Sequence, residues 1–372
     1  MRNRTILVIG LLFVVGCGGG GGSNSTTETQ QDNNSEELSQ TGGGQEVGLH
    51  YNPDPQNVYL KVTGQTQSYG SGEENTTLLR DDGYYQIGFA NEYSRDASTE
   101  IVTDHLLGLM WQDNSEVATV ELPWSDELGE APLDDLPLEK QSSATTAQAY
   151  CSELELGGYR DWRVPLIEEL GMMMDYSQTN TTHSIFKNLS DKGELSFYWS
   201  ATPSYLDSET MWTLNPSLGQ IGYETSLKMM PANIRCVRGE SGLVYGEMPR
   251  DQQGIVTDEG SRLMWQDNYD SEEVNRATWG EAIAYCEALT LGEYGDWRLP
   301  NINELLSISN FRVDSDETIL FSSFQNSLDN GYWSSTTKVE DNGSAYLFNY
   351  TTGSSTACKC ASNAVRCVRT KG

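Results

Sequence analysis

Apolar residues recur at helical spacing from Trp279 onward. Trp279, Ala282, Ile283, Cys286 and Leu289 follow at helical spacing, so one face of a helix collects them. Thr278 and Glu281 stand at the spacing of a capping box, which starts that helix. After a Gly-rich turn at residues 292–296 a second helix is predicted. Pro300 takes its first position, Asn301 and Glu304 stand three apart, and Ile302, Leu305 and Leu306 point inward. The same arrangement occupies residues 143–170, with Cys151 lying 135 positions before Cys286. The chain is therefore a tandem repeat.

Around each helix pair the pattern changes to short alternating runs. Residues 58–62, 64–66 and 81–86 read as strands separated by turn residues. Ile101-Val102-Thr103-Asp104 with Leu109-Met110-Trp111-Gln112-Asp113-Asn114 recurs as Ile255-Val256-Thr257-Asp258 with Leu263-Met264-Trp265-Gln266-Asp267-Asn268, two strands about a turn. Repeat one then carries about nineteen residues more than repeat two before its first helix, including Pro123, Pro132 and Pro137, an insertion loop. After the helices come Tyr198-Trp199-Ser200-Ala201-Thr202 and Tyr332-Trp333-Ser334-Ser335-Thr336. An aromatic strand follows each, then a glycine turn at Gly219 or Gly353, then Arg-Cys-Val-Arg. Strands, two short helices and more strands make an α+β domain with a small, mostly antiparallel sheet, placed twice, at 58–239 and 248–370.

Cysteine usage adds covalent closure. Cys151 and Cys286 share one helix position, and Cys236 and Cys367 share one strand position, so each repeat most simply closes its own bridge, Cys151 to Cys236 and Cys286 to Cys367. Loops of that length are stabilised by roughly 4 kcal/mol in the chain-entropy account. Cys358-Lys359-Cys360 has no counterpart in repeat one. A bridge across one residue is a small, easily reduced ring; a metal pair or a redox site are the alternatives.

The first residues change the picture from a globular protein to an anchored one. Arg2 and Arg4, an apolar stretch at 6–15 and Val14-Val15-Gly16-Cys17 resemble a bacterial lipoprotein signal. The resemblance implies cleavage before Cys17, lipid on that residue, and a place in the cell envelope of a Gram-negative bacterium, on the outer membrane and facing the exterior or the periplasm. Residues 18–50, rich in Gly, Ser, Asn and acidic residues, are expected to be a disordered tether. With 54 acidic against 23 basic residues the net charge is -31, which repels nucleic acid and favours cations, Ca²⁺ above all.

The strings Leu-Met-Trp-Gln-Asp-Asn, Asp-Trp-Arg-Leu-Pro-Asn, Tyr-Trp-Ser-Ser-Thr and Arg-Cys-Val-Arg resemble the Lcl C-terminal domain family, a bacterial extracellular module often found on lipoproteins. The resemblance implies two C-type-lectin-like domains and a surface location. For function it implies adhesion or binding, with a few members linked to sulfated polysaccharide. Calcium-dependent lectins of that fold hold Ca²⁺ through Glu-Pro-Asn or Gln-Pro-Asp and Trp-Asn-Asp motifs; neither is present, since Ser334 and Ser335 follow Trp333.

Candidate site residues follow from these elements. Asp314, Asp316 and Glu317 alternate carboxylates in the loop after the second helix, where Ca²⁺ could sit; no other cofactor is indicated. Tyr205, Trp212 and Tyr223 in repeat one and Tyr346 and Tyr350 in repeat two lie where a lectin-like domain presents a ligand face. For Trp212 and Tyr346 core packing is the stronger reading. The units Asp161-Trp162-Arg163 and Asp296-Trp297-Arg298 are expected to supply an ion pair closing the connection between helices. Arg235, Arg238, Arg366 and Arg369 are expected to alternate outward as partners for acids. His50, His105 and His183 are isolated, and neither a nucleophile elbow nor a phosphate loop occurs, so the chain reads as a non-enzyme. The expected function is adhesion to a glycan or a cell-surface protein. The alternatives are a cysteine-dependent oxidase related to formylglycine-generating enzymes and a structural envelope component.

Overall fold

A computed structural model of the chain describes residues 60–70, 79–124, 145–204, 210–222, 228–240, 247–268, 276–311, 321–326 and 331–371. Cys17, the tether and most of the insertion loop lie outside them. The described residues belong to one compact unit.

The helices are short, numbered here α1 (Asp82–Tyr85), α2 (Glu116–Thr119), α3 (Ala147–Glu153), α4 (Ile167–Gly171), α5 (Trp279–Ala288) and α6 (Ile302–Ser307). Helix α5 starts as its spacing predicts: the Glu281 carboxylate accepts from the Thr278 backbone N–H at 3.0 Å. Helix α6, expected to begin at Pro300, begins two residues later, at Ile302. Asn301, not Pro300, precedes it as the cap, because its side-chain oxygen accepts from the Glu304 N–H at 2.9 Å and a proline has no such group.

Each repeat has a small antiparallel sheet. In repeat one Tyr93–Asp96, Ile101–Asp104, Leu109–Gln112 and Val237–Arg238 pair in that order; in repeat two Ile255–Asp258, Leu263–Gln266 and Val368–Thr370 do. The predicted strand at residues 81–86 is instead the helical turn α1, and of the predicted strand at 58–62 the described residues, 60–62, contribute a bridge between Lys61 and Phe89.

The second sheet runs through both repeats. Its order is Arg276–Ala277, Asn363–Ala364, Tyr332–Thr337, Ser344–Asn349 and Gly353–Cys358 from repeat two, then Gln220–Gly222, Met211–Asn215, Tyr198–Pro203, Ala232–Asn233 and Glu121–Leu122. The seam is the antiparallel pair Gly353 and Gly222. Gly353 has φ +99°, and a Cβ there would overlap the Ile221 carbonyl, so only glycine permits this approach. Ile221 N–H also donates to Ser354 Oγ at 2.7 Å across the seam.

The core follows the sheet. Ile167 and Leu170 of α4, Ile302, Leu305 and Leu306 of α6, Trp212, Ile221 and Tyr346 form one buried cluster shared by the repeats. A Cβ on Gly171 would overlap Leu306, so the two second helices meet where repeat one has lost its side chain. Two smaller clusters surround the bridges, Cys151 and Cys236 with Trp162 and Trp199, and Cys286 and Cys367 with Trp279, Trp297 and Trp333.

Candidate functional site

Most charged groups that the repeats hold in common are consumed inside the scaffold. Asp113, fully buried, accepts from Arg95 Nε at 2.6 Å, from Arg235 Nη1 at 3.1 Å and from the backbone N–H groups of Lys187 and Asn188. Asp267 does the same with Arg250 Nε at 2.7 Å and the N–H groups of Gln325 and Asn326. Buried carboxylates of this kind persist only when fully partnered. Arg163 and Arg298 make two-pronged pairs with Glu169 and Glu304 at the start of α4 and α6.

The Asp-Trp-Arg unit is therefore structural, but its acid and base do not pair with each other. Asp161 takes Arg238 at 2.8 Å and Asp296 takes Arg369 at 2.6 Å, tying the turn between helices to the closing strand. Three of the four arginines correct the expectation that they alternate outward: Arg235 and Arg366 are fully buried, because the residue before each strand cysteine faces the core, and Arg369 is buried as well.

Segment 60–90 lies outside the duplicated blocks and joins them. Lys61 is buried against Asp104 of repeat one, with Tyr93 Oη accepting at 2.7 Å, and burial pulls its ammonium pKa below the ordinary value. The Lys61 and Ile87 carbonyls accept from the Asn303 and Asn301 side chains of repeat two, at 2.9 and 3.1 Å. Gln65 pairs through its side-chain amide with both backbone groups of Thr337. Asp82, in the same segment, is buried, and its Oδ2 accepts from Thr63 Oγ1 at 2.6 Å and Thr336 Oγ1 at 2.7 Å. Each hydroxyl already accepts a backbone N–H, from Gln65 and Ile302, so both are set to donate. Burial, with Glu304 and Asp81 nearby, pushes the Asp82 carboxyl up to about 7 against the two hydroxyl bonds.

Helix α1 turns its far side outward. Asp81 caps it through the Tyr84 N–H and also accepts from Tyr69 N–H, and Gly83 lies so close to the Gln67 carbonyl that no Cβ fits. Tyr84 is 46% exposed, with its ring 5.1 Å from that of Tyr85 in edge-to-face contact. Tyr85 Oη donates to Glu287 Oε1, and Arg80 Nη1 donates to Glu287 Oε2 at 3.0 Å. Burial and the Glu287 carboxylate push the Tyr85 phenol up to about 12. An exposed aromatic face, an exposed guanidinium and a carboxylate are thus fixed together on one surface. Two further exposed tyrosines, Tyr159 and Tyr294, stand at one repeat position, each over an arginine, Arg238 at 3.8 Å and Arg369 at 3.9 Å.

The aromatics singled out in the sequence are elsewhere. Trp212 and Tyr346 are buried, packed edge-on against Phe311 and Tyr176 at 5.0 and 4.8 Å. Tyr350 is buried too, its Oη donating to the Leu305 carbonyl at 3.3 Å; its phenol stabilises α6 and presents no ring to a ligand. Tyr205, Tyr223, Asp314, Asp316 and Glu317 lie outside the described residues. Among the described residues no three His, Cys, Asp or Glu side chains gather as a metal site. The bridges are Cys151–Cys236 and Cys286–Cys367, with Cα–Cα distances of 5.6 and 5.4 Å, and Cys358–Cys360. The surface group around Tyr84 escaped sequence reasoning because Asp81 to Gln86 read as a strand. Tyr159 and Tyr294 had a signal: each follows the glycine turn of its repeat.

Comparison with protein families matches the Lcl C-terminal domain pattern twice, over residues 100–238 and 254–369. The chain belongs to the Lcl C-terminal domain family. Both Lcl segments run from the Ile-Val-Thr-Asp region to the closing Arg-Cys-Val-Arg strand, and each contains one of the long bridges. Segment 60–90, with Arg80, Tyr84 and Tyr85, lies outside both. No curated protein matches the chain. Among the described residues no helix is long and apolar enough to cross a membrane.

Proposed function

We propose that this chain is a lipid-anchored adhesion module of the bacterial cell surface, with two C-type-lectin-like repeats held on a tether from Cys17. Its ligand is a glycan, bound at the surface of Tyr84, Arg80 and Glu287. The observation that carries this reading is the exposed Tyr84 ring fixed beside a guanidinium and a carboxylate that are already oriented by each other. A sugar ring presents a C–H face to an aromatic and hydroxyls to charged groups, which this trio matches, and fixing the side chains beforehand lowers the entropy cost of binding.

Calcium enters as a second variable through Asp314, Asp316 and Glu317, where alternating carboxylates suit a hard cation. The experiment is a glycan array followed by calorimetry, with and without Ca²⁺, on the chain and on Tyr84→Ala. The reading expects saturable binding to at least one glycan, weakened ten-fold or more by the substitution. Binding to no glycan, or binding indifferent to Tyr84, would overturn it.

A further inference from the structure

The three bridges divide into two kinds. Cys151–Cys236 and Cys286–Cys367 span 85 and 81 residues, and all four of their cysteines are at 0% exposure. Cys358–Cys360 closes over one residue at the end of strand Gly353–Cys358, with Cys360 exposed and Cys358 half-buried. Its equivalent positions in repeat one, Glu224 and Ser226, hold no cysteine, so the shared scaffold does not require it.

What the surroundings do hold firmly is the residue between. Lys359 N–H donates to the Gly343 carbonyl at 2.8 Å, and its own carbonyl accepts from Trp279 N–H at 3.0 Å. Its Nζ lies 3.8 Å from the Trp279 ring centre and donates to the Gly70 carbonyl at 2.7 Å. Lys359 is buried by these contacts, and the cysteines on either side are turned outward. The frame rests on backbone and lysine partners, so it does not depend on the sulfur–sulfur bond. Short-ring, accessible disulfides are the exchangeable ones.

The two sulfurs are also unequal. Cys360 is the accessible one, whereas Cys358 Sγ accepts the Cys360 backbone N–H at 3.4 Å. An N–H directed at a sulfur stabilises its thiolate and improves it as a leaving group. We propose that the Cys358–Cys360 bridge is a thiol–disulfide exchange site that oxidises a dithiol, meaning two neighbouring cysteine thiols of a peptide or protein.

A substrate thiolate attacks Cys360 Sγ, forming a substrate–Cys360 bond, while the Cys358–Cys360 bond breaks and its electron pair leaves on Cys358. The second substrate thiol, losing its proton to water, then attacks the first substrate sulfur. The substrate disulfide forms and Cys360 departs as thiolate. Two electrons pass from substrate to protein, and two protons, exchanged through water, end on Cys358 and Cys360. The substrate is the reductant, and one bridge oxidises one dithiol.

The test incubates the full chain without oxygen with a reduced Cys-Gly-Cys peptide, then alkylates and maps the cysteines by mass spectrometry. One equivalent of peptide should be oxidised per chain, with new alkylation at 358 and 360 only. With the oxidised peptide, Cys358→Ser should form a mixed disulfide at Cys360 at least ten-fold faster than Cys360→Ser does at Cys358. The proposal is overturned if the double serine variant oxidises the peptide at the same rate, if the long bridges open instead, or if the two single variants react alike.

Discussion

The two repeats carry the same internal locks and differ in what lies over them. Asp113 and Asp267 gather the same arginine and backbone donors, and Glu169 and Glu304 pair with the same arginine of the Asp-Trp-Arg unit. Yet Arg163 is 37% exposed and Arg298 only 5%, with the Tyr85 ring of α1 lying 5.6 Å from the Arg298 guanidinium. The cap differs as well: Asn301 closes α6 with its side chain, while Leu166 at the matching place has none to offer. Duplication thus preserves the frame, and a segment outside the duplicated blocks makes the halves unequal.

The largest test of that inequality removes the acid from each lock. Glu304→Ala leaves Arg298 buried and unpaired, which costs about 3–5 kcal/mol. Glu169→Ala leaves an arginine that water reaches, and should cost about 1–2 kcal/mol. Urea unfolding of the two variants measures both; equal losses would remove the asymmetry.

Next is pH. Asp82, raised to about 7 in the folded chain against 3.8 unfolded, favours the protonated form when folded. Its contribution is therefore complete below about pH 4 and lost as pH rises through about 7, a ceiling of about 4 kcal/mol. Solvent relaxation should leave about half. Asp82→Asn keeps an oxygen for both threonines and removes the charge, so it should flatten melting temperature against pH between 4 and 7. An unchanged slope would place the titration elsewhere. Repeat one is the internal control: its matching hydroxyl, Thr202 Oγ1, accepts from Ile167 N–H at 3.0 Å, and no carboxylate among the described residues bonds to it.

Smaller effects come from exchanging the caps. Asn301→Leu should destabilise by about 1–2 kcal/mol, through the lost cap and the lost bond to the Ile87 carbonyl, and Leu166→Asn should stabilise by about 0.5 kcal/mol. Thermal denaturation of both variants checks the signs. Smallest of all, Tyr84→Ala should shift stability by no more than about 0.5 kcal/mol, because its ring is surface, while glycan binding falls.

Residues that recur at one spacing were legible in the sequence. The long bridges follow from Cys151 and Cys286 and from Cys236 and Cys367 standing in equivalent places. Contacts made once were not. Asp81 to Gln86 alternates like a strand, and becomes helical because Asp81 caps it and Gly83 meets a carbonyl sixteen positions earlier, at Gln67. Tyr350 sits beyond an aromatic strand like a surface residue, and its burial rests on the rings of Tyr332 and Phe348 and on the carbonyl of Leu305. Gly222 and Gly353 look like ordinary turn residues; nothing local announces that they meet.

That meeting has a consequence for how the chain can be divided. Gly219 and Gly353 are equivalent, as are Gly222 and Thr356, each pair 134 positions apart, so exchanging the halves turns the pairing of Gly353 with Gly222 into Gly219 opposite Thr356, which falls in the same antiparallel register. A register that returns to itself in this way is the kind that joins identical subunits in a two-fold dimer. A half expressed alone would bare the strand edge at this pair, an invitation to another chain. Cut between residues 240 and 247, each piece should seek a second copy of itself, restoring between molecules the union that here lies within one.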